Sequence, residues 1–292
     1  MSHLDLFTAH RRLLFELAYR MLGSVAASED IVQETWLRWQ RQELRNIASP
    51  KAWLVATATR LAIDHLRSAQ RTREDYYGIW LPEPVIDTRT RSPDESAALA
   101  DSLTMAFMLM LERLTPDERA VFLLREVFDY DYADIAPIVE KSEAACRQIV
   151  SRAKARVGRE TYPPTPPSPR AERIVQQFIE ATTSGEVHEL VALLSDDAVL
   201  YSDGGGRVRA AGRPIHTADR ISRFFVGVRR RYAEISNCAF RFARVNGRPG
   251  ALMTGDNRPI NAYTFEFDGD RIRAIYLVRN PDKLRHLMDG AN

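Results

Sequence analysis

The sequence predicts a multidomain protein in which two all-α modules are followed by an α+β domain. Three observations support this expectation. Apolar residues recur at helical spacing in residues 28–74 and 129–157, and half of the segment 161–170 is proline. Beyond that segment, helical periodicity comes first and alternating strands with hairpin turns come last. Helices first and an antiparallel sheet last predict an α+β cone with a pocket between them.

Residues 129–157 have the pattern of a DNA-binding helix-turn-helix. Asp131 is the expected N-cap of a short helix, and Ser142 caps a second helix after a tight break. The residues expected inside are Ile135, Ala136 and Ile138 or Val139 in the first helix, and Ala145, Ile149 and Ala153 in the second. Two residues depart from the motif, because Pro137 lies inside the first helix and Glu140 occupies a turn that glycine would form more easily.

The exposed side of the second helix is polar and basic. In helix-turn-helix proteins the first residues of this helix reach base edges, and later basic residues contact phosphates. The predicted base readers are Glu143, Ala144, Arg147 and Gln148, and the predicted phosphate contacts are Arg152 and Lys154. The alternative is a solvated basic helix in an ordinary helical bundle.

A second helical module precedes this motif. In residues 28–39 an apolar stripe of Ile31, Val32, Trp36 and Trp39 leaves Asp30, Gln33, Glu34 and Arg38 on a polar face. In residues 49–74, Ser49 and Pro50 start a long helix. Its expected inward residues are Trp53, Leu54, Ala58, Leu61, Ala62 and Leu66, and Arg60, Arg67 and Arg71 form a basic face. Basic residues near aromatic ones suit a melted DNA strand.

Two segments read as linkers. Residues 75–97 contain three prolines that break any helix, although the apolar WLPEP stretch at 80–84 predicts that Trp80 and Leu81 dock onto a partner. Residues 161–170 are expected to be extended. The resulting domains are 1–74, 98–160 and 171–280, with a tail at 281–292.

Within 171–280 we expect a helix from about Ala171 to Thr183, a shorter helix, and a strand that ends near Asp203. A helix over Ile215–Arg230 follows, then strands at about 234–245, 249–255, 259–267 and 271–279. The glycines Gly204, Gly205 and Gly206 form a turn and would let another chain segment, such as WLPEP, approach closely.

The order of the N-terminal segments resembles bacterial sigma factors of the extracytoplasmic-function type. SEDIVQETWLRW (28–39) is similar to their region 2.2, SPKAWLVATATRLAIDHLRS (49–68) to regions 2.3 and 2.4, and residues 114–157 to region 4. This resemblance implies promoter-specific transcription initiation together with core RNA polymerase, through its β′ clamp helices and β flap. It implies no cofactor, no metal and no catalytic residue.

The resemblance also implies residue roles. Polymerase would be bound by Asp30, Gln33, Glu34 and Arg38. The promoter −10 element would be read by Arg45, Asn46, Ser49, Lys51, Arg60, Arg67 and Arg71. The −35 element would be read by Ser142, Glu143, Ala144, Arg147, Gln148, Ser151, Arg152 and Lys154.

The C-terminal part resembles SnoaL-like members of the nuclear transport factor 2-like superfamily, and WLPEP, DGGGR (203–207) and NPDKLRHL (280–287) are marks of sigma factors fused to such a domain. The fusion implies control of the sigma modules in cis, with no separate anti-sigma factor. The implied regulatory residues are Trp80, Leu81, Pro82, Asp203, Gly204, Gly205, Gly206, Asn280, Pro281, Asp282, Lys283 and Leu284. A small ligand in the C-terminal pocket is a further possibility.

Two other classes stay open at this point. A cyclase-like or isomerase-like enzyme fused to a DNA-binding module would need a tuned carboxylate and an oxyanion donor. The available groups are Tyr201, Asp203, His216, Tyr263 and Glu266, and we expect His216 to be a surface residue and the protein not to be an enzyme. A one-component activator would explain the helix-turn-helix but not the module at residues 30–39.

Composition sets limits on these classes. The net charge of +2 excludes a uniformly basic protein, so DNA binding depends on local patches. Cys146 and Cys238 lack the spacing of a metal site and are expected to be reduced. No stretch approaches the length of a membrane span, and we expect a cytoplasmic protein without a membrane partner.

Overall fold

The computed structural model describes residues 2–74, 76–87, 102–157, 168–232, 237–256 and 258–288, which fall into two compact units. The first contains residues 2–74, 102–103 and 107–157. The second contains residues 76–87, 104–106, 168–232, 237–256 and 258–288. The segment 76–87 therefore packs with the C-terminal residues, although it lies in the N-terminal half of the chain.

The described residues up to 157 form helices joined by turns, apart from the segment 76–87. The helices are α1 (His3–Leu22), α2 (Val25–Trp39), α3 (Pro50–Glu74), α4 (Met105–Leu111), α5 (Pro116–Glu126), α6 (Tyr132–Val139) and α7 (Glu143–Val157), with a 3-10 turn at Leu44–Asn46. Both predicted helical modules are present. The first, residues 2–74, and the second, residues 107–157, belong to the same compact unit.

Helix ends in this unit follow from local sequence. The hydroxyl of Ser2 accepts from the amide of Asp5, whose carboxylate accepts from the Ser2 amide, so both ends of a capping box start α1. Gly23 then ends α1 with a left-handed φ of 66°. Thr115 and Glu118 form the same reciprocal pair at the start of α5. Each cap satisfies amides that have no partner within the helix.

The core of the first module surrounds Trp39, which is fully buried. Its indole Nε1 donates to the carbonyl of His3 over 2.9 Å, and its ring lies 5.3 Å from that of Trp53. The stripes predicted for α2 and α3 are confirmed, with Trp36, Trp53 and Leu61 half-buried and the other predicted inward residues buried. Helix α1 packs against both of these helices.

The second unit contains a seven-stranded sheet with the order β1-β4-β5-β6-β7-β2-β3. The strands are β1 (Ile86–Asp87), β2 (Leu194–Asp203), β3 (Ile215–His216), β4 (Ala239–Val245), β5 (Arg248–Gly255), β6 (Arg258–Asp268) and β7 (Arg271–Val278). The helices are α8 (Ala171–Ser184), α9 (Val187–Leu193), α10 (Ala218–Tyr232) and α11 (Pro281–Leu284), followed by a 3-10 turn at Arg285–Leu287. All strand pairs are antiparallel except β2 with β7.

The core of this unit lies between the long helices and the sheet. The ring of Phe178 in α8 lies 5.1 Å from Phe225 in α10 and 5.2 Å from Phe265 in β6. These three side chains are fully buried. The predicted α+β cone is confirmed, and the Asn246-Gly247 turn joins β4 to β5 with positive φ at both residues, as a tight hairpin requires.

Three sequence-based boundaries differ from the structure. The helix predicted over Ile215–Arg230 begins at Ala218, because Ile215 and His216 pair with β2 and Thr217 has a φ of 77°. The strand predicted from 234 begins at Ala239, and residues 233–236 lie outside the described chain. Within the predicted linker, Ile86 and Asp87 form a strand paired with β4.

Much of the two predicted linkers, residues 75, 88–97 and 161–167, also lies outside the described chain, as do residues 289–292 of the predicted tail. Among the described residues, no helix has the length and apolarity needed to cross a membrane.

Candidate functional site

The predicted helix-turn-helix is present as α6 and α7. Helix α6 buries all four predicted apolar residues and begins after Asp131. Glu140 ends it in the left-handed conformation with a φ of 54°, so a glutamate takes the backbone position expected to favour glycine. The Ser142 hydroxyl accepts from the amide of Ala145 over 3.2 Å and caps α7 as predicted.

Helix α7 separates an apolar face from a polar one. Cys146, Ile149, Val150 and Ala153 are buried, and Ala145 is half-buried. The predicted −35 readers are all exposed, namely Ser142, Glu143, Ala144, Arg147, Gln148, Ser151, Arg152 and Lys154. The guanidinium of Arg147 contacts Glu143 over 2.7 Å and lies 5.2 Å from the centre of the Tyr132 ring. These contacts hold Arg147 at the start of the helix, where a base edge would be met.

The polar face predicted on α2 is also present. Asp30, Gln33 and Arg38 are exposed and Glu34 is half-buried, with Arg38 Nε 2.8 Å from the carboxylate of Glu34. The pair lies one helical turn apart and is worth a few tenths of a kcal/mol at most, about 0.3–0.5. The carboxylates of Asp30 and Glu34 on this face therefore remain available to a basic partner.

The loop between α2 and α3 presents several predicted −10 residues. Glu43 accepts from the side chains of Arg45, over 2.8 Å, and Asn46, over 3.1 Å, and so fixes both at the 3-10 turn. Ser49 caps α3 by accepting from the amide of Ala52. Arg45, Asn46, Ser49 and Lys51 are all exposed. These four side chains are thus accessible from solvent.

A basic cavity of about 400 Å³ lies beside this loop, between α2 and α3. Its lining residues are Arg38, Arg41, Gln42, Trp53, Thr57 and Arg60. A lining with three arginines and one tryptophan suits a negatively charged, flat group such as a nucleotide. Sequence reasoning identified Arg38, Trp53 and Arg60 separately but did not identify Thr57 of α3 or the loop residues Arg41 and Gln42, because periodicity does not reveal which residues of different elements meet around a cavity.

The basic face of α3 contacts the second helical module. Arg60 donates through Nε to the carbonyl of Ile138 over 3.0 Å and through Nη2 to the carbonyl of Pro137 over 2.6 Å. Arg67 contacts the carboxylate of Asp117 over 2.8 Å. Lys51 Nζ lies 5.6 Å from the centre of the Tyr130 ring. The side chain of Arg71, the remaining predicted −10 residue, lies outside the described part.

In the second unit, Asp203 organises a site that binds residues 76–81. The fully buried carboxylate accepts from the Tyr76 hydroxyl over 2.6 Å, the Leu81 amide over 2.9 Å and the Gly205 amide over 3.0 Å. Burial and the hydrogen bond to Asp203 raise the pKa of the Tyr76 phenol well above its ordinary value. The phenol therefore acts as a donor at neutral pH.

Lys283 completes this site. Its ammonium lies 2.7 Å from the Asp203 carboxylate, donates to the carbonyl of Leu81, and sits 4.3 Å from the Trp80 ring centre and 4.8 Å from that of Tyr76. Asp203 and Lys283 thus bind both polar groups of the Leu81 backbone, and two aromatic rings cover the cation.

The glycine turn after Asp203 allows this packing. A Cβ atom on Gly205 would lie 2.1 Å from the side-chain nitrogen Nδ2 of Asn280 and 3.0 Å from the Tyr76 hydroxyl. Asn280 caps α11 by accepting from the amide of Asp282, and its side chain also donates to the Tyr76 hydroxyl over 3.0 Å. The expected close approach to the glycines occurs. The residues that approach Gly205 are Asn280 and Tyr76, and not WLPEP itself.

Most of the predicted regulatory residues lie in this site. Leu81, Pro82 and Leu284 are buried, Trp80 is half-buried, and Asp282 contacts Arg207 over 3.3 Å at the rim. His286 hydrogen-bonds the carbonyl of Pro84 over 2.8 Å. Sequence reasoning missed the roles of Tyr76 and His286, because their partners are distant in the chain. Tyr76 and Asp203 are 127 positions apart, and His286 and Pro84 are 202 apart.

The groups considered for an enzyme do not form one site. Asp203 is engaged by residues 76–81, and Tyr201 stacks on Tyr276 at 5.3 Å. Tyr263 hydrogen-bonds Asn261, Glu266 pairs with Arg248 over 3.3 Å, and His216 is exposed, as expected. Among the described residues no cluster of potential metal ligands occurs.

A helix-turn-helix, a second basic helical module and a fused α+β domain define a promoter-recognition protein. The chain matches two family models, sigma-70 region 2 at residues 6–72 and sigma-70 region 4 at residues 104–157. It is 38% identical to the sigma factor SigJ of Mycobacterium tuberculosis, over 95% of this chain and 91% of that one. It is 32% identical to the probable sigma factor SigI of the same species, over 94% and 92%. The crystal structure of M. tuberculosis SigJ superposes with a TM-score of 0.75 at 33% identity, covering 97% of this chain and 98% of that one.

The chain therefore belongs to the extracytoplasmic-function family of RNA polymerase sigma factors. It is an alternative sigma factor that binds core RNA polymerase and promoter DNA and directs transcription initiation, and it carries the α+β domain described above after its two helical modules. Sigma factors are not enzymes, which agrees with the scattered placement of the five candidate groups.

Proposed function

We propose that the exposed face of α2 binds the β′ clamp helices of core polymerase, with the β flap as a second contact. The observation that supports this is the set of accessible polar groups on one side of α2, comprising Asp30, Gln33, Glu34 and Arg38. The stripe on the opposite side of α2 is packed into the first module, so the helix is held rigidly. Binding to core RNA polymerase supports a cytoplasmic location for the protein.

The −10 element is read by the loop and pocket beside α3. Arg45, Asn46 and Ser49 lie in the exposed loop, Lys51 lies in the first turn of α3, and the cavity next to them combines Trp53 with three arginines. An unpaired base stacks on an aromatic ring while its phosphates are neutralised by arginine. We assign this pocket to a base that leaves the duplex as the promoter melts. Arg60, Arg67 and Arg71 on α3 would then follow the strand.

The −35 element is read by α7. Removal of the Arg147 side chain (Arg147→Ala) should cost about 1–3 kcal/mol for the cognate site and relax preference at one position, since a bidentate base contact is worth that much. Arg152→Ala should weaken binding to every sequence alike and reduce the salt dependence by about one counterion.

Both effects can be measured by fluorescence anisotropy with cognate and scrambled duplexes across a salt series. Arg156→Ala is a matched control, because Arg156 contacts Glu118 over 2.7 Å and lies beyond Lys154, the last of the predicted readers. Equal loss on cognate and scrambled DNA for Arg147→Ala would remove it from the base readers.

We further propose that the C-terminal domain modulates the sigma modules in cis, through its contacts with residues 76–81. Asp203 and Lys283 hold the Leu81 backbone, and this segment directly follows α3 in the chain. A tethered domain acts at an effective concentration of order millimolar, so modest affinity suffices and a separate anti-sigma factor is not required. A small apolar ligand of this domain stays a prediction.

In vitro transcription with core polymerase tests these proposals on a library of candidate promoters. The full chain is compared with truncations after Pro169 and after Arg279. We expect promoter-specific transcripts from the full chain and an altered yield from both truncations. Equal yields from all three would contradict control in cis, and the absence of transcripts from all three would contradict a role in promoter-specific initiation.

A further inference from the structure

The positive charge of the chain is concentrated in its C-terminal part. Residues 201–250 contain 11 arginines and 3 acidic residues, whereas residues 1–157, which include both helical modules, contain 21 basic and 23 acidic ones. The net charge of the whole chain is only +2. Long-range attraction to a polyanion therefore comes chiefly from the α+β domain, since such attraction follows the local excess of one sign of charge.

More than half of these arginines lie in α10 and in the residues before it. Residues 204–229 hold one acidic residue, Asp219, whose carboxylate lies 3.0 Å from Nε of Arg223. An exposed pair of this kind contributes little to stability, so Arg223 remains available to a partner with a stronger negative charge. The same stretch holds six arginines, all of them exposed, namely Arg207, Arg209, Arg213, Arg220, Arg223 and Arg229.

One face of α10 is exposed to solvent. The opposite side of the helix is packed into the core through Ile221 and Phe225, which are fully buried, so the orientation of the helix is fixed. The exposed residues Arg220, Arg223 and Gly227 are three and four positions apart and therefore lie on one side of the helix. We call these three residues the arginine face.

Gly227 is the unexpected member of the arginine face. Glycine in a helix interior lowers helix stability relative to alanine, because it loses more backbone freedom on folding. Apart from the backbone of α10 itself, no described atom lies within 4 Å of the position that a Cβ atom on Gly227 would take. The packing of the described residues therefore does not require a glycine there. One turn from Arg223, it leaves the helix backbone open to the close approach of a partner.

We infer that the arginine face binds the phosphate backbone of duplex promoter DNA, outside the base contacts assigned to α7. The chain binds promoter DNA, and a duplex is a dense, regular array of negative charges, so charge complementarity selects this partner. None of the three residues is aromatic, so an unpaired base has no ring to stack on, unlike in the cavity beside α3. Arginine binds phosphate through its planar fork, without reading sequence.

This inference goes beyond control in cis, because the contacts with residues 76–81 do not require DNA. It gives the C-terminal domain a second role, which is to hold the duplex without sequence preference. A non-specific contact adds affinity to the specific contacts of α7, because the two binding events occur on one tethered chain.

The test compares the salt dependence of duplex binding by the full chain and its variants, measured by fluorescence anisotropy with cognate and scrambled duplexes. Arg220→Gln/Arg223→Gln should weaken binding to both duplexes about tenfold at low salt. It should also reduce the slope of log affinity against log salt by about 2, because each lost phosphate contact removes about 0.9. The matched control is Arg173→Gln/Arg258→Gln, which removes two exposed arginines of the same domain from α8 and β6 and should leave the slope unchanged.

Gly227→Glu separates binding from folding. Glutamate forms helix better than glycine, so the full chain should resist urea at least as well as the wild type. The added carboxylate beside Arg223 repels phosphates, so binding to both duplexes should fall at least tenfold. A merely structural role of this face predicts no loss of binding when stability is kept. Unchanged duplex binding in both Gly227→Glu and Arg220→Gln/Arg223→Gln would overturn the inference.

Crosslinking locates the contact. A photoactivatable aryl azide attached at Gly227→Cys, in a Cys238→Ser background that retains the buried Cys146, should crosslink to a labelled duplex, and the same group at Arg173→Cys should not. If the arginine variant loses binding to core polymerase but keeps duplex binding, an acidic protein surface covers this face and the inference is wrong. Arg147→Ala tests the proposed −35 role separately, because it changes the preference for the cognate duplex and not the affinity for both.

Discussion

Charge reversal at Asp30 and Glu34 is expected to abolish association with core RNA polymerase. The two carboxylates lie one helical turn apart on a face of α2 whose opposite side is buried, so lysines there would present repulsion to a basic partner without changing the core. Like charges facing each other across an interface cost several kcal/mol, and the loss of two attractive charges adds to that, so we expect at least a hundredfold weaker binding, on the order of 3 kcal/mol.

The measurement is binding of Asp30→Lys/Glu34→Lys to core polymerase by size-exclusion chromatography and by competition with a labelled wild-type chain. Asp196→Lys/Asp197→Lys is the matched control, because it reverses two exposed carboxylates on β2 of the other unit. Thermal unfolding of both variants should match the wild type. Retained polymerase binding by the α2 variant would refute the assignment of this face.

The sequence predicted the helix-turn-helix well because each part has a local cause. The apolar spacing of Ile135, Ile138 and Ile149, together with the cap at Ser142, requires no information from distant residues. The same holds for the C-terminal hairpins, whose turns are set by Asn246-Gly247 and by Gly269 with its φ of 57°. Boundaries were less well predicted where a neighbouring strand intervened, as at Ile215 and His216.

The contacts between Arg60 and the end of α6 could not be predicted from the sequence, for a physical reason. Arg60 is bound to backbone carbonyls, which every residue carries, so no side-chain pattern identifies Pro137 and Ile138 as its partners. Pro137 and Glu140 counted against the motif from sequence alone. In the structure they lie at the helix end that Arg60 caps, and Glu140 provides the turn that directs two amides to Ala136.

At Asp203 the situation is reversed, because the residues of the site were predicted from the sequence but their contacts were not. The motifs WLPEP, DGGGR and NPDKL were associated by resemblance, whereas the structure adds the ion pair between Asp203 and Lys283 and the two bonds to the Leu81 backbone. Because both charges are buried, the site depends on mutual neutralisation, and this makes its stability sensitive to a single substitution.

Asp203→Asn should therefore destabilise the C-terminal unit by about 3–5 kcal/mol, because it leaves the Lys283 ammonium buried without its counterion. Lys283→Met should cost less, since the carboxylate keeps three donors, from Tyr76, Leu81 and Gly205. The double variant should cost less than the sum of the two, because each single change already breaks the same pair. Urea unfolding followed by circular dichroism gives these free energies.

Asp282→Asn is the matched control for this site. It removes the same charge one residue from Lys283, but from exposed pairs with Arg207 and Arg285, and should cost less than about 1 kcal/mol. Hydrogen exchange at the Leu81 amide supplies a local measure, because that amide donates to Asp203, and its exchange should accelerate in Asp203→Asn but not in Asp282→Asn. Unchanged protection of Leu81 in Asp203→Asn would mean that other contacts hold residues 76–81, and control in cis would then have to act through a different part of the C-terminal domain.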